Sequence, residues 1–283
     1  MHIIHYLYRP KIIQKTNYFK MNKKLLLLIA ILAFSYTAEA LAWGRHAHRV
    51  QAEIAEQNLT RRAQRRVTQL LEGYPMAYWS YWSDRLRSDD TGRWDHTLPW
   101  HWINIPSNLT RAEFDEHVRN VPEENVYFAV NQLIDVLRDR NTPEQEKRYA
   151  LRHLIHFVGD LHNPMHTGRA EDRGGNLINV TWFGTPRNLH WVWDTGVVDE
   201  GYSFTEKANI LNGVLSRDQR RAMQQGTILD WLWETYQISN EIYAGVSDGD
   251  ALGFRYTFIW SDTVELLFQR AGIRLAAILN EIF

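Results

Sequence analysis

His156 and Asp160 stand four positions apart, and His190 and Asp194 repeat that spacing within about forty residues. On a helix, side chains at i and i+4 project from one face about a turn apart. An imidazole and a carboxylate so placed can hold a borderline-soft dication such as zinc. Pro164 ends the first helix and swings in a further imidazole, His166, from the turn beyond it. One such pair reads as well as a helix with satisfied histidines. A second copy favours the metal.

The elements that must position these residues are mostly helices. Thr142-Pro143 is a start signal, and Leu151, Leu154, Ile155, Val158 and Leu161 recur at helical spacing toward a core. His48 to Leu71 has a helical pattern with a boundary at Thr60, and Tyr78 to Arg87 predicts a short helix carrying Asp84. His96 to Pro106 reads as a loop or extended piece, with His101 between two tryptophans. A helix is expected from Pro122, its apolar stripe running from Val126 to Leu137 and its first turn acidic. Leu177 to Phe183 predicts a small hairpin closed around Gly184-Thr-Pro. Helices resume at His190, residues 200–228 are polar and poorly patterned, and Ile228–Tyr243 and Ser261–Phe283 are amphipathic. The fold class expected is mainly α: a single compact helical domain with one small β-hairpin.

Composition bounds the function. The 283 residues include 12 Trp, 13 Tyr and 11 Phe, ample for one large core, and no cysteine, which removes disulfides and thiolate metal sites. Met21-Asn-Lys-Lys, the apolar run Leu25–Phe34 and Ala40-Leu-Ala42 read as a signal peptide, with Met21 the better start and cleavage after Ala42. Residues 43–283 are then the functional domain. Without the six basic residues and one acid of residues 1–42, 26 basic and 32 acidic residues remain, a formal charge of −6. Such a chain has no global field for a polyanion, so nucleic-acid binding would need local charge or metal. An exported chain without disulfides fits a bacterial periplasm or the medium, with no membrane anchor once the leader is removed.

The candidate ligands are Trp43, His48, Asp84, His101, His156, Asp160, His166, His190 and Asp194, more than one zinc needs. As a processed N-terminus, Trp43 would offer a neutral α-amine and its own carbonyl oxygen. W-G-x-x-x-H from Trp43, W-S-D-x-x-R at Asp84, H-F-x-G-D-x-x-x-P-x-H, G-G-N and N-L-H-x-x-W-D-T together resemble the S1/P1 nuclease family. These are trinuclear-zinc, single-strand-specific nucleases related in fold to zinc-dependent phospholipase C. The motifs span Trp43 to Asp194.

The resemblance implies three zinc ions. Asp84, His101, His156 and Asp160 would hold one; Asp160 would bridge to a second, completed by Trp43 and His48; His166, His190 and Asp194 would hold a third. Arg87 matches a family arginine that stabilises charge on the phosphate, so Arg87, Asp84 and Asp160 are the expected catalytic residues. The implied activity is endonucleolytic hydrolysis of single-stranded DNA and RNA to 5′-phosphorylated products, with 3′-nucleotidase activity, by a monomer without a stable protein partner. Asn163 stands where the family usually has Gln. Asn104, the expected substrate-binding residue, stands where fungal members carry a base-binding Asp. Two alternatives are a zinc-dependent phospholipase C, which would want apolar surface for lipid, and a zinc-binding protein without turnover, which would have no use for Arg87. Trp79, Trp82 and Trp182 are candidate platforms for unpaired bases.

Overall fold

The computed structural model describes residues 43–198 and 201–283, all within one compact unit spanning Ala40–Phe283. The expected signal peptide lies outside the described residues. Helix α1 (Arg45–Gln57) is followed by α2 (Arg61–Leu70), and Thr60 separates them by capping Ala63 N with its hydroxyl. The aromatic stretch folds as two single turns, α3 (Met76–Trp79) and α4 (Trp82–Arg85), the second carrying Asp84. Asp95–His101 is a 3₁₀ helix rather than a loop, and it delivers His101 from its last turn.

Helix α5 (Arg111–Asn120) has no counterpart in the apolar pattern, because only Phe114 and Val118 are buried on it. A capping box between Thr110 and Glu113 starts it instead. Helix α6 (Val126–Arg138) begins four residues later than the sequence suggests. Its cap is Asn125, whose carboxamide accepts from Tyr127 N and Phe128 N, so the two glutamates precede the helix.

Helix α7 (Glu144–Asp160) is the centre of the domain and packs against α6, α12, α1 and α2. Every residue from Ala150 to Asp160 is buried. After it come β1 (Asn179–Trp182) and β2 (Thr185–Asn188), the expected antiparallel hairpin, with Trp182 opposite Thr185 across a two-residue turn. The single turn α8 (Leu189–Trp191) runs into a π-helical turn, Val192–Gly196, that carries Asp194. The polar stretch holds two further helices, α9 (Phe204–Gly213) and α10 (Arg217–Met223). Helix α11 (Ile228–Gly245) leads to β3 (Ala251–Leu252), which pairs in parallel with β1 and extends the hairpin to three strands in the order β2-β1-β3. Helix α12 (Phe254–Ile282) closes the fold. Among the described residues no helix is long and apolar enough to cross a membrane.

Two glycines let α1 lie between α7 and α12. A Cβ on Gly159 of α7 would sit 2.4 Å from Gln51 Oε1 and 2.7 Å from His48 Nδ1. A Cβ on Gly272 of α12 would sit 2.6 Å from Ile54 Cβ and 2.9 Å from Gln51 O. Those separations are below van der Waals contact, so each crossing depends on a bare Cα. The first places His48 beside Asp160; the second holds α1 against it from behind.

Alanine at position 272 tests this packing. Its helix propensity is better than glycine's by about 1 kcal/mol, but overpacking a filled crossing costs roughly 1–3 kcal/mol. The Gly272→Ala protein should therefore be less stable, with a lower urea midpoint at unchanged m-value. A midpoint equal to or above that of the unsubstituted protein would show slack between α1 and α12.

Candidate metal centre and active cleft

The site grows from the C-terminal end of α7. His156 donates its Nδ1–H to Ser80 O at 2.7 Å, which leaves Nε2 facing inward. That nitrogen lies 3.1 Å from Asp160 Oδ2 and 3.7 Å from Asp84 Oδ1. His101 turns Nδ1 to the same point, 2.9 Å from Asp160 Oδ2 and 3.6 Å from Asp84 Oδ1. His48 arrives from α1, its ring stacked on His156 at 3.9 Å and its Nε2 3.3 Å from Asp160 Oδ1.

A second focus adjoins the first. His166, on the 3₁₀ turn Pro164–Thr167, donates Nδ1–H to His101 O at 2.7 Å. His190 donates Nδ1–H to Gly174 O at 2.7 Å. Both rings thus present Nε2 to Asp194, 3.9 Å from Oδ1 for His166 and 3.1 Å from Oδ2 for His190. Asp194 is itself oriented by Asn163, whose Nδ2 donates to Oδ1 at 2.8 Å while its own Oδ1 accepts from Met165 N. Carbonyls that fix one ring nitrogen while freeing the other are the usual supports of imidazole metal ligands.

Burial makes this cluster electrostatically demanding. Desolvation alone would lower the His156 imidazole, but the carboxylates Asp160 and Asp84 overcome it and push its pKa up to about 9. Desolvation likewise would raise Asp160, and the imidazoles around it, His156 first, hold it well below the ordinary carboxylate range. Burial dominates at His48, His101 and His166, all of which are lowered. Asp194 is raised to about 6, burial outweighing the attraction of His190. Several buried atoms have no well-aligned hydrogen bond, whatever lies near them: both nitrogens of His48, both oxygens of Asp84, Nε2 of His101, Oδ1 of Asp160 and Oδ2 of Asp194. Buried polar atoms without partners are costly, and those that face other ligand-type groups, His48 Nε2, Asp84 Oδ1, Asp160 Oδ1 and Asp194 Oδ2, are what bound cations would relieve.

The donor set fits zinc, with imidazole nitrogens and carboxylate oxygens and no thiolate. Three groups have ligand atoms near enough to share an ion: His48, Asp84 and His156; His101, His156 and Asp160; and His166, His190 and Asp194. All eight of these side chains are buried, so the expected side-chain ligands converge. Trp43 is also buried, its indole edge-on to Phe268 at 4.9 Å, and the next residue, Gly44, donates N–H to Asp194 O at 2.6 Å.

The cluster opens to a cleft of about 330 Å³ lined by Arg87, Trp102, Asn104, His166, Arg173 and His190, among others. Arg87 Nη2 is 3.6 Å from Asp84 Oδ1, which places the guanidinium at the rim beside the metal-binding groups. Asn104 lies in the cleft wall. The tryptophans suggested for base stacking do not line it. Trp79 packs on the core beneath the Arg152 guanidinium, Trp82 lies among Trp94, Tyr149 and His153, and Trp182 packs against Gly196 and Tyr256. The exposed aromatic wall is Trp102, adjacent to His101 in sequence. Asn163, which stands where the family usually has Gln, lies directly behind the ligands on Asp194, whereas the supporting carbonyls of Ser80, His101 and Gly174 carry no residue-type signal in the sequence.

Comparisons with known proteins place the chain in a family. The S1/P1 Nuclease family profile matches residues 43–283. Endonuclease 2 of Arabidopsis thaliana is 27% identical over 273 residues, covering 85% of this chain and 90% of that protein. Endonuclease 1 of the same plant is 26% identical, covering 94% and 95%. Nuclease S1 of Aspergillus oryzae is 26% identical over 186 residues, 64% of each chain. The chain therefore belongs to the S1/P1 nuclease family and is a nuclease, a hydrolase of phosphodiester bonds.

Proposed function

We propose that this nuclease is an exported, monomeric endonuclease that cuts single-stranded DNA and RNA to 5′-phosphorylated products and removes phosphate from 3′-nucleotides. The observation that carries this reading is the cleft itself. It places an exposed aromatic, Trp102, and the Arg87 guanidinium beside a buried cluster of metal-type donors. A flat indole suits an unpaired base, whose π-face it can stack upon. A base held within a duplex has no free face to offer.

Three zinc ions are proposed, in the sets Asp84, His101, His156 and Asp160; Trp43, His48 and Asp160; and His166, His190 and Asp194. Zinc held there supplies Lewis acidity toward a phosphoryl oxygen and lowers the pKa of water. Asp160 faces His48 through Oδ1 and His156 through Oδ2, which suits a carboxylate shared between two ions. Arg87 provides N–H donors toward the phosphate oxygens as charge accumulates on them, steadied by Asp84. Asn163 holds Asp194 in one orientation. Asn104 offers the base both a donor and an acceptor.

A phospholipase C is the second reading, and one observation favours it. Phe254 and Phe258 are 84% and 83% exposed, and Phe183 at the hairpin tip packs edge-on against Phe254. An apolar patch of this kind suits a lipid interface. The deciding assay gives zinc-loaded protein equal amounts of single-stranded DNA, duplex DNA, RNA, a 3′-mononucleotide and phosphatidylcholine vesicles. Single strands should be cut much faster than duplex, leaving 5′-phosphates, and chelation should abolish cutting until zinc is restored. Preferential hydrolysis of the vesicles, or 3′-phosphate ends, would reject the proposal.

Arg87→Ala should lower kcat by on the order of a hundredfold or more with zinc content intact. Lysine there should rescue only part of the loss, lacking the planar fork. Undiminished turnover in Arg87→Ala would remove the residue from the chemistry.

The amino terminus gives a further expectation. A free Trp43 α-amine has an ordinary pKa of about 8, whereas an amide nitrogen delocalises its lone pair and binds metal poorly. Protein starting at Trp43 should hold one more equivalent of zinc than protein with a single extra Met before it, by elemental mass spectrometry. It should also be far more active. Equal zinc and equal activity in the two forms would exclude the terminal amine as a ligand.

A further inference from the structure

Charge divides sharply at Trp102 and Asn104, which line two cavities at once. On the metal side the cleft is lined by Arg87 and Arg173, and among the described residues no carboxylate lines it. On the other side lies a groove of about 550 Å³ lined by Glu116, Glu123 and Glu124, with His117 and Asn120. Among the described residues no arginine or lysine lines that groove. A strand with one negative charge per nucleotide meets cations in one direction and carboxylates in the other.

The backbone at Arg173 is a second observation. Its φ is 56°, in the left-handed region that disfavours a residue with a Cβ, and Gly174 and Gly175 follow at 64° and 81°. The loop is pinned there from both ends. The Asp172 carboxylate accepts from Gly175 N at 2.6 Å and from the Tyr243 hydroxyl at 2.9 Å, and Gly174 N donates to Arg169 O. Gly174 O is in turn the acceptor that fixes His190. Glycine or asparagine would occupy position 173 at lower conformational cost. A strained, exposed arginine on the cleft wall is the kind of feature that function maintains.

We propose that a single-stranded substrate leaves the metal centre across the loop of residues 169–176, with a backbone phosphate on Arg173, and that the carboxylates of the 116–125 groove keep the strand out of it. This rests on the single-strand nuclease reading above. The guanidinium fork matches phosphate geometry and stays charged at any working pH. Trp102, between the two cavities, is then the boundary of the strand's path rather than its midpoint.

The experiment compares a dinucleoside monophosphate, which has one diester and no flanking phosphate, with an oligothymidylate of about ten nucleotides, enough to reach past one binding module. Both are assayed with zinc-loaded enzyme over a range of KCl concentrations. Arg173→Asn tolerates the left-handed backbone and removes the charge. It should raise KM for the oligonucleotide about tenfold, far more than for the dinucleotide, and make the log–log salt dependence shallower by about 0.7, the loss of one phosphate contact. Arg173→Lys should restore the salt dependence. Glu116→Gln combined with Glu123→Gln should lower KM for the oligonucleotide. Equal losses on both substrates in Arg173→Asn, or an unchanged salt dependence, would overturn the path. Failure of the unsubstituted enzyme to cut either substrate would instead overturn the single-strand reading beneath it.

Discussion

The structure depends on placing one carboxylate, Asp160, in the interior among the imidazoles of His48, His101, His156 and His166. A buried charge is tolerated only when paired and hydrogen-bonded. Here the pairing groups come from helix α1, the 3₁₀ turn at His101, helix α7 itself and the turn after it. Each must arrive within a few ångströms, so the fold around Asp160 has little freedom. That is why α7 is buried on every side through its last three turns, and why α1 meets it at a glycine. Hydrophobic packing alone would be met by many helix arrangements; the donor cluster selects among them. Metal binding in such a centre is also folding free energy, because ions satisfy donors that the protein leaves unpaired.

What the sequence makes legible follows from this. Helices α1, α2, α6, α7, α11 and α12 carry apolar stripes because each turns one face to the core, and periodicity reports that face. Helices α5, α9 and α10 do not: α10 buries no residue at all. Their signal is local and lies in the capping boxes of Thr110 with Glu113, Ser203 with Glu206, and Ser216 with Gln219. Polar composition hides these helices from a hydrophobic reading while the cap announces them. The boundary of α6 fails for a related reason, since Asn125 competes successfully with the earlier acidic residues as its cap. Strand β3 is two residues long and pairs with β1 from some seventy positions away, a separation that no local pattern encodes.

The site divides in the same way. The i, i+4 pairs on α7 and at α8 are visible because helical geometry converts spacing into proximity. His48, Asp84 and His101 come from three separate elements, and only the motif resemblance, not spacing, groups them with α7. The supporting groups are less visible still. Ser80, His101 and Gly174 act through backbone carbonyls, which no residue type marks, and Asn163 acts through a turn that folds it against Asp194. Trp102 was hidden among twelve tryptophans, and only its exposure beside the cleft separates it from those that pack.

These supports also couple parts of the chain that lie far apart in sequence. Gly44 donates to the carbonyl of Asp194, Gly174 accepts from His190, and Asp172, next to Arg173, accepts from Tyr243 of α11. The beginning of the domain, the loop at 169–176 and a late helix thus converge on the second focus of the cluster. A metal held by His166, His190 and Asp194 would therefore stiffen the loop whose outer face carries Arg173. Substrate positioning and metal occupancy share one backbone segment, so neither can shift far without the other. The bond from Gly44 brings the residue after Trp43 into the same network, which ties the first of the described residues to the group formed by His166, His190 and Asp194.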